Sequence, residues 1–166
     1  RFALPNDCWW ERIIDRPGRF DKKARFKFGA SYAGHWWQHP ADGFEDLASG
    51  DELWITEGIF DCLALRQHFP APDPKTFIPR RAAVSVMSIS NYPEKALDQL
   101  RAAMAEKGIK QAPHLVFAYD VGKGGVSAAK KHVARARAEG WAASAAQVRP
   151  DGEGSKLDWN DLALRH

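Results

Sequence analysis

An α/β fold with an open, largely parallel sheet flanked by helices is what this sequence predicts, and three observations carry the prediction. From Glu52 onward, short apolar runs alternate with stretches of helical periodicity. Gly and Pro stand where each helix should stop. At 166 residues and 45% hydrophobic content, the chain is long enough for one well-packed core.

The elements follow in order. Residues 25–37, "RFKFGASYAGHWW", alternate polar and aromatic residues around glycines, which favours short strands in a small N-terminal sheet. Residues 40–50 read as a loop. "ELWITE" is a buried strand, and "GIFDCLALRQH" turns helical, with Ile59, Phe60, Leu63 and Ala64 on one side, before Pro70 ends it. The Pro-rich "PAPDPKTFIPR" is a connector, and "AAVSVMSI" is the next strand. Pro93 suits the first turn of a helix whose stripe is Ala96, Leu97, Leu100 and Met104, closed by Gly108. "HLVFAY" is a third strand. The turn "VGKGG" leads into a helix with Ala128, Ala129, His132, Val133 and Ala136 inward and Lys130, Lys131, Arg135 and Arg137 outward, ending before Gly140. A fourth strand lies within "WAASAAQVR", and "DWNDLALRH" opens a last short helix. The division this suggests is a small basic N-terminal subdomain, 1–50, and an α/β domain, 51–166.

Charge is mild overall, +3, but uneven. Between Glu11 and Lys27 seven basic residues, among them Arg19, Lys22, Lys23, Arg25 and Lys27, face three acids. Aromatic residues Phe26, Phe28, Tyr32, Trp36 and Trp37 lie among and just after them. Basic side chains interleaved with aromatics suit a single-stranded nucleic acid; a solvated charged face beside a packed core reads the same way. The chain begins at Arg1, shows no signal peptide and has no apolar run of membrane-spanning length, the pattern expected of a soluble, cytoplasmic segment of something longer. Cys8 and Cys62 have no metal-binding spacing and read as small buried hydrophobes. His35 and His39 stand four apart, but on strand and turn, with no third zinc ligand evident.

The acids are the more informative signal. In an open α/β sheet, ligands bind beyond the carboxyl ends of the strands, and Glu57 and Asp120 both fall at such ends. If their strands are close, the two carboxylates meet, joined from the last loop by Asp158 and Asp161. Like charges so crowded raise one another's pKa unless a cation sits among them, and a hard ion such as Mg²⁺ is the natural occupant. Helix capping is the structural alternative for Asp158 and Asp161.

"LWITEGIFDCLAL", "HLVFAYDVGKGGVSAAKKHVARARAEGW" and "SKLDWNDLAL", taken in that order, resemble the three signatures of the TOPRIM domain of bacterial, phage and plasmid primases, shared with topoisomerases and some nucleases. The "DWND" close most resembles primase-like proteins of mobile elements. The resemblance implies that Glu57 is catalytic with Asp61 the helix acid near it, and that Glu57, Asp120, Asp158 and Asp161 hold Mg²⁺ or Mn²⁺. One position departs from the pattern: the second acid of Asp-x-Asp falls on Gly122. The turn it opens, with Lys123, Gly124 and Gly125 at a helix start, is a candidate phosphate cradle without the spacing of a P-loop.

The activity so implied is primer synthesis in DNA replication, a metal-dependent nucleotidyl transfer from nucleoside triphosphates on a single-stranded DNA template. A helicase domain, in this or another chain, is the expected companion, and no membrane is involved. The alternatives are a catalytically degenerate module that binds nucleic acid or a helicase, and a nuclease using the same ion site. A phosphatase with Asp120 as nucleophile explains neither Glu57 nor "DWND".

Overall fold

A computed structural model describes residues 1–13, 24–73, 75–148 and 158–159. The strands are β1 (Phe2–Leu4), β2 (Cys8–Arg12), β3 (Ala24–Phe26), β4 (Trp37–Gln38), β5 (Glu52–Thr56), β6 (Arg81–Ser85), β7 (His114–Ala118) and β8 (Ala143–Ala145). The helices are α1 (Phe44–Ala48), α2 (Ile59–His68), α3 (Glu94–Lys107) and α4 (Lys123–Ala138). No described helix is long and apolar enough to cross a membrane.

The expected sheet is present: five strands in the order β4-β6-β5-β7-β8, parallel throughout except for β4, which pairs antiparallel with β6. β5 lies at the centre, in register with β6 at Thr56↔Ser85 and with β7 at Thr56↔Ala118. Both faces of such a strand are covered, so it reads as a nearly continuous apolar run. Leu53 and Ile55 join Val84, Leu115 and Phe117 in one cluster, closed by Leu47 of α1, Ala96, Leu97 and Leu100 of α3, and Ala129 and Ala136 of α4. Trp54, Ala83 and Ala118 face the other way, toward Ile59, Cys62 and Leu65 of α2 and toward Leu4, Cys8, Trp10 and Phe26 of the N-terminal strands.

Those N-terminal strands form a second, antiparallel sheet, β1-β2-β3. Its first hairpin turns on Asn6 and Asp7, with φ of 61° and 52°, and the Cys8 N–H donates to the Pro5 carbonyl at 3.3 Å. Positive φ at both central positions of the Pro5–Cys8 turn is a conformation that Asn and Asp tolerate, and three residues, 5–7, separate the paired Leu4 and Cys8. The expected strand at Trp37 is β4, and it completes the main sheet instead of the small one.

Several local expectations change. Residues 40–50 hold α1, not only loop: Asp46 reaches back from its first turn to the Gly43 N–H at 2.8 Å, and Leu47 and Ala48 are buried beneath it. One and a half turns carry too few apolar positions to show periodicity. Pro93 stands just before the first helical residue of α3, not inside the turn. Gly108 ends that helix at φ 66°, the left-handed conformation in which glycine is unstrained. Of the helix expected to open at "DWND", only Asp158 and Trp159 are among the described residues, Trp159 being helical.

Candidate active site

The site is built on adjacent strand ends. Because Thr56 is level with Ala118 on neighbouring parallel strands, Glu57 leaves β5 beside Tyr119, and Asp120 follows one residue later. β6 holds the Glu57 backbone from the other side: the Ser85 hydroxyl donates to the Glu57 carbonyl at 3.0 Å, and the Val86 N–H donates to the Thr56 carbonyl at 3.0 Å. The Thr56 hydroxyl lies 2.9 Å from the Gly58 carbonyl and 3.1 Å from that of Val84. The exit of β5 is thus fixed by bonds to the backbone of Thr56, Gly58 and Glu57.

Glu57 is half-buried, and its pKa is raised above the ordinary 4.5, first by burial and then by the negative charge of Asp120. The two carboxylates therefore feel each other across the strand ends.

The turn after Asp120 gives its glycines different tasks. Gly122 has extended backbone, φ 175° and ψ 162°, and a Cβ there would meet nothing within 4 Å. Nothing in the conformation demands glycine at this position. Gly125 is different: a Cβ would overlap the main-chain oxygen of Asp120, so only glycine lets the first turn of α4 pack onto the strand end. Gly124 faces Ile89 at an ordinary distance, 3.4 Å from its Cδ1 to an added Cβ. Gly124 and Gly125 are the glycines of the candidate phosphate cradle; the close approach gives Gly125 a packing duty.

Asp61 is buried in the first turn of α2, its Oδ2 lying only 2.8 Å from where a Cβ on Gly58 would stand. A carboxylate folded over its own helix start also meets the positive end of the helix dipole. Asp158 precedes Trp159, whose indole N–H donates to the Ala118 carbonyl at 3.1 Å and whose ring meets Trp54 edge-on at 5.6 Å. Trp159 therefore anchors the closing motif to the end of β7, a task its sequence position did not reveal. Asp161, Arg19, Lys22 and Lys23 lie outside the described residues, and of Lys123 only the backbone is described.

The N-terminal basic face is partly neutralised. Glu11 accepts from Arg25 at 2.6 Å and from Arg1 at 3.0 Å, and these bonds, that to Arg25 foremost, hold its carboxyl below the usual range. Lys27 pairs with Asp7. Arg1 also stacks over Trp9, 4.2 Å from the ring centroid. Phe26 and Tyr32 stack on each other at 4.5 Å, while Trp36 and Trp37 are buried in the two core clusters. Among the described aromatics of this segment, Phe28 is wholly exposed. His35 is buried, and the Nδ1 of His39 accepts from the Ala41 N–H at 3.2 Å. Cys8 and Cys62 are buried free thiols.

A family model described as Toprim-like matches residues 54–163, which runs from within β5 to the closing motif and contains Glu57, Asp120 and Asp158. The chain belongs to the Toprim-like family. Comparison with curated proteins and with solved structures gave no match. Membership places the Toprim-like domain in nucleic-acid metabolism, and domains of this kind generally bind divalent metals such as Mg²⁺. In this Toprim-like domain the donor chemistry fits such an ion: two carboxylates at neighbouring strand ends, one with its pKa raised by burial and then by the charge of the other, are hard oxygen donors whose repulsion a cation relieves. Among the described residues no group of three or more His, Cys, Asp or Glu side chains that could hold a metal ion is present.

Proposed function

We propose that this Toprim-like domain is the catalytic part of a primase-like protein, performing metal-dependent nucleotidyl transfer from nucleoside triphosphates on single-stranded DNA. The observation that carries the reading is the placing of Glu57 and Asp120 just past the level ends of β5 and β7, where the Asp120 charge adds to burial in raising the Glu57 pKa. Glu57, Asp120, Asp158 and Asp161 would hold Mg²⁺ or Mn²⁺. When bound, the ion supplies positive charge against the triphosphate and the attacking 3′-oxygen. Glu57 would take the proton from the 3′-hydroxyl as that oxygen bonds to the α-phosphorus and the bond from the α-phosphorus to the bridging oxygen breaks, releasing pyrophosphate. Lys123 and the helix start at Gly124 and Gly125 would steady phosphate oxygens, and Arg19, Lys22, Lys23, Arg25 and Lys27 would hold the template strand. Asp61 would act beside Glu57. A helicase, in the same or another chain, is the companion this activity calls for.

A second reading has its own support. Gly122 stands where the second acid of the Asp-x-Asp motif is expected, and the backbone there would accept an acid without strain. A domain that gave up a ligand at no structural cost could keep the fold and only bind nucleic acid or a helicase. Labelled nucleoside triphosphates, single-stranded template and Mn²⁺ test the first reading, beside a DNA-cleavage assay. Primer products support it, cleavage alone indicates a nuclease, and binding without either product indicates the degenerate module.

A further inference from the structure

Tyr119 links β7 to Asp120 and is wholly buried, and its hydroxyl lies 2.7 Å from Nδ1 of His132, two turns into α4 and itself 4% exposed. The His132 ring is enclosed by other rings: Tyr92 at 5.3 Å, Tyr119 at 5.6 Å and Phe117 at 5.7 Å between centroids. Burial first, then the charges of Lys131 and Arg135, lowers its pKa to about 4, so the imidazole is neutral at physiological pH. The contact is then a bond between neutral partners inside the core, and deleting one side leaves a buried polar atom unsatisfied.

This bond adds a second tie between α4 and the strand end. The first is at Gly125, which packs onto the carbonyl of Asp120. Asp120 sits between the two, its predecessor held through the Tyr119 hydroxyl and its own carbonyl covered by the helix start. A ligand residue on a turn keeps its geometry only if neighbouring groups are locked by packing and hydrogen bonds. Neither Tyr119 nor His132 belongs to the acid set, and a bond required only for core stability would not need to adjoin it.

We infer that the Tyr119–His132 hydrogen bond is a positioning element that fixes the Asp120 carboxylate for divalent-cation binding. The inference rests on the proposed reading of Glu57 and Asp120 as a metal-holding pair. Tyr119→Phe removes only the hydroxyl. His132→Ala removes the partner, and His132→Gln offers an amide in its place.

The test is titration of the protein with Mn²⁺ alone, free ion followed by electron paramagnetic resonance, with circular dichroism and thermal unfolding on every variant. Partners that orient metal ligands typically alter affinity by about 10- to 100-fold when removed. Folded Tyr119→Phe and His132→Ala should each weaken Mn²⁺ binding by about 10-fold, near the lower end of that range. His132→Gln should recover part of the loss, a rescue that a general loosening of the core would not produce. Asp120→Asn and Glu57→Gln serve as controls. If they weaken Mn²⁺ binding while folded Tyr119→Phe and His132→Ala bind like the parent, the positioning role is overturned and the acid pair stands. If the controls themselves change nothing, the acid-pair reading falls, and this inference with it. Should Tyr119→Phe fail to fold, the comparison of His132→Gln with His132→Ala decides alone: equal Mn²⁺ affinities at the parent value overturn the proposal.

Discussion

Gly125 packs so closely beneath the main-chain oxygen of Asp120 that no side chain fits between them. Two residues five apart in sequence thereby join the end of β7 to the start of α4. Gly125→Ala should displace the helix start, with a loss of about 1–3 kcal/mol typical of overpacking. Urea unfolding would read this as a lower midpoint with an unchanged slope. Gly124→Ala, which meets only the end of Ile89, should be nearly neutral by the same measure. Equal effects at the two positions would show that the close approach is not what demands glycine.

Gly122→Asp should fold as the parent does, because its backbone is extended and its surroundings are open. It adds a carboxylate beside Asp120, and we expect Mn²⁺ to bind several-fold more tightly, on the order of 1 kcal/mol. Calorimetric titration of Gly122→Asp and Glu57→Gln should move in opposite directions. No change in either, with both folded, would remove these acids from any ion site.

The pH dependence has a definite sign. Glu57 binds its proton more tightly folded than unfolded, so its ionised form opposes folding above the folded pKa, and the penalty disappears below the ordinary value of 4.5. Glu57→Gln should therefore raise the thermal midpoint at pH 7.5, and the gain should vanish by about pH 4. Adding Mn²⁺ at pH 7.5 should raise the parent midpoint more than that of the variant.

Binding of a single-stranded oligonucleotide should be weak and sensitive to salt. If about three phosphates are contacted, a slope of about −0.7 per phosphate gives roughly a 20-fold loss between about 50 and 200 mM salt. Fluorescence anisotropy at those two concentrations measures it. Since Arg25 and Lys27 already pair with Glu11 and Asp7, alanine at either position should lower affinity less than a free cation would. Absence of binding at the lower concentration would return the basic run to a solvated face.

The central strands and α2 to α4 were legible because each carries its own periodicity and punctuation: apolar runs at β5, β6 and β7, and a glycine after α3 and α4. The β1–β2 hairpin had a signal too, Asn6 and Asp7 between apolar residues, but a three-residue strand gives alternation little room to show. Trp36 and Trp37 illustrate another limit. Their place after a basic run suggested stacking, yet neighbours on an extended segment point to opposite faces, and each fills a different core cluster. At the site, strand-end acids could be read one by one. The Ser85 bond to the Glu57 backbone, the Trp159 bond to Ala118 and the Tyr119–His132 pair join residues 13 to 41 apart, and no local pattern announces such partners.

The antiparallel strand β4 has a further consequence. Trp37 and Gln38 cover the flank of β6 at Ser85 and Val84, although the Toprim-like match begins only at residue 54. Severed before β5, the sheet would keep its parallel order but lose its stopper: β6 would become a bare margin, open to strand exchange with a second molecule. The leading segment thus shields the margin of β6 from within the same sheet whose central strand leads into Glu57.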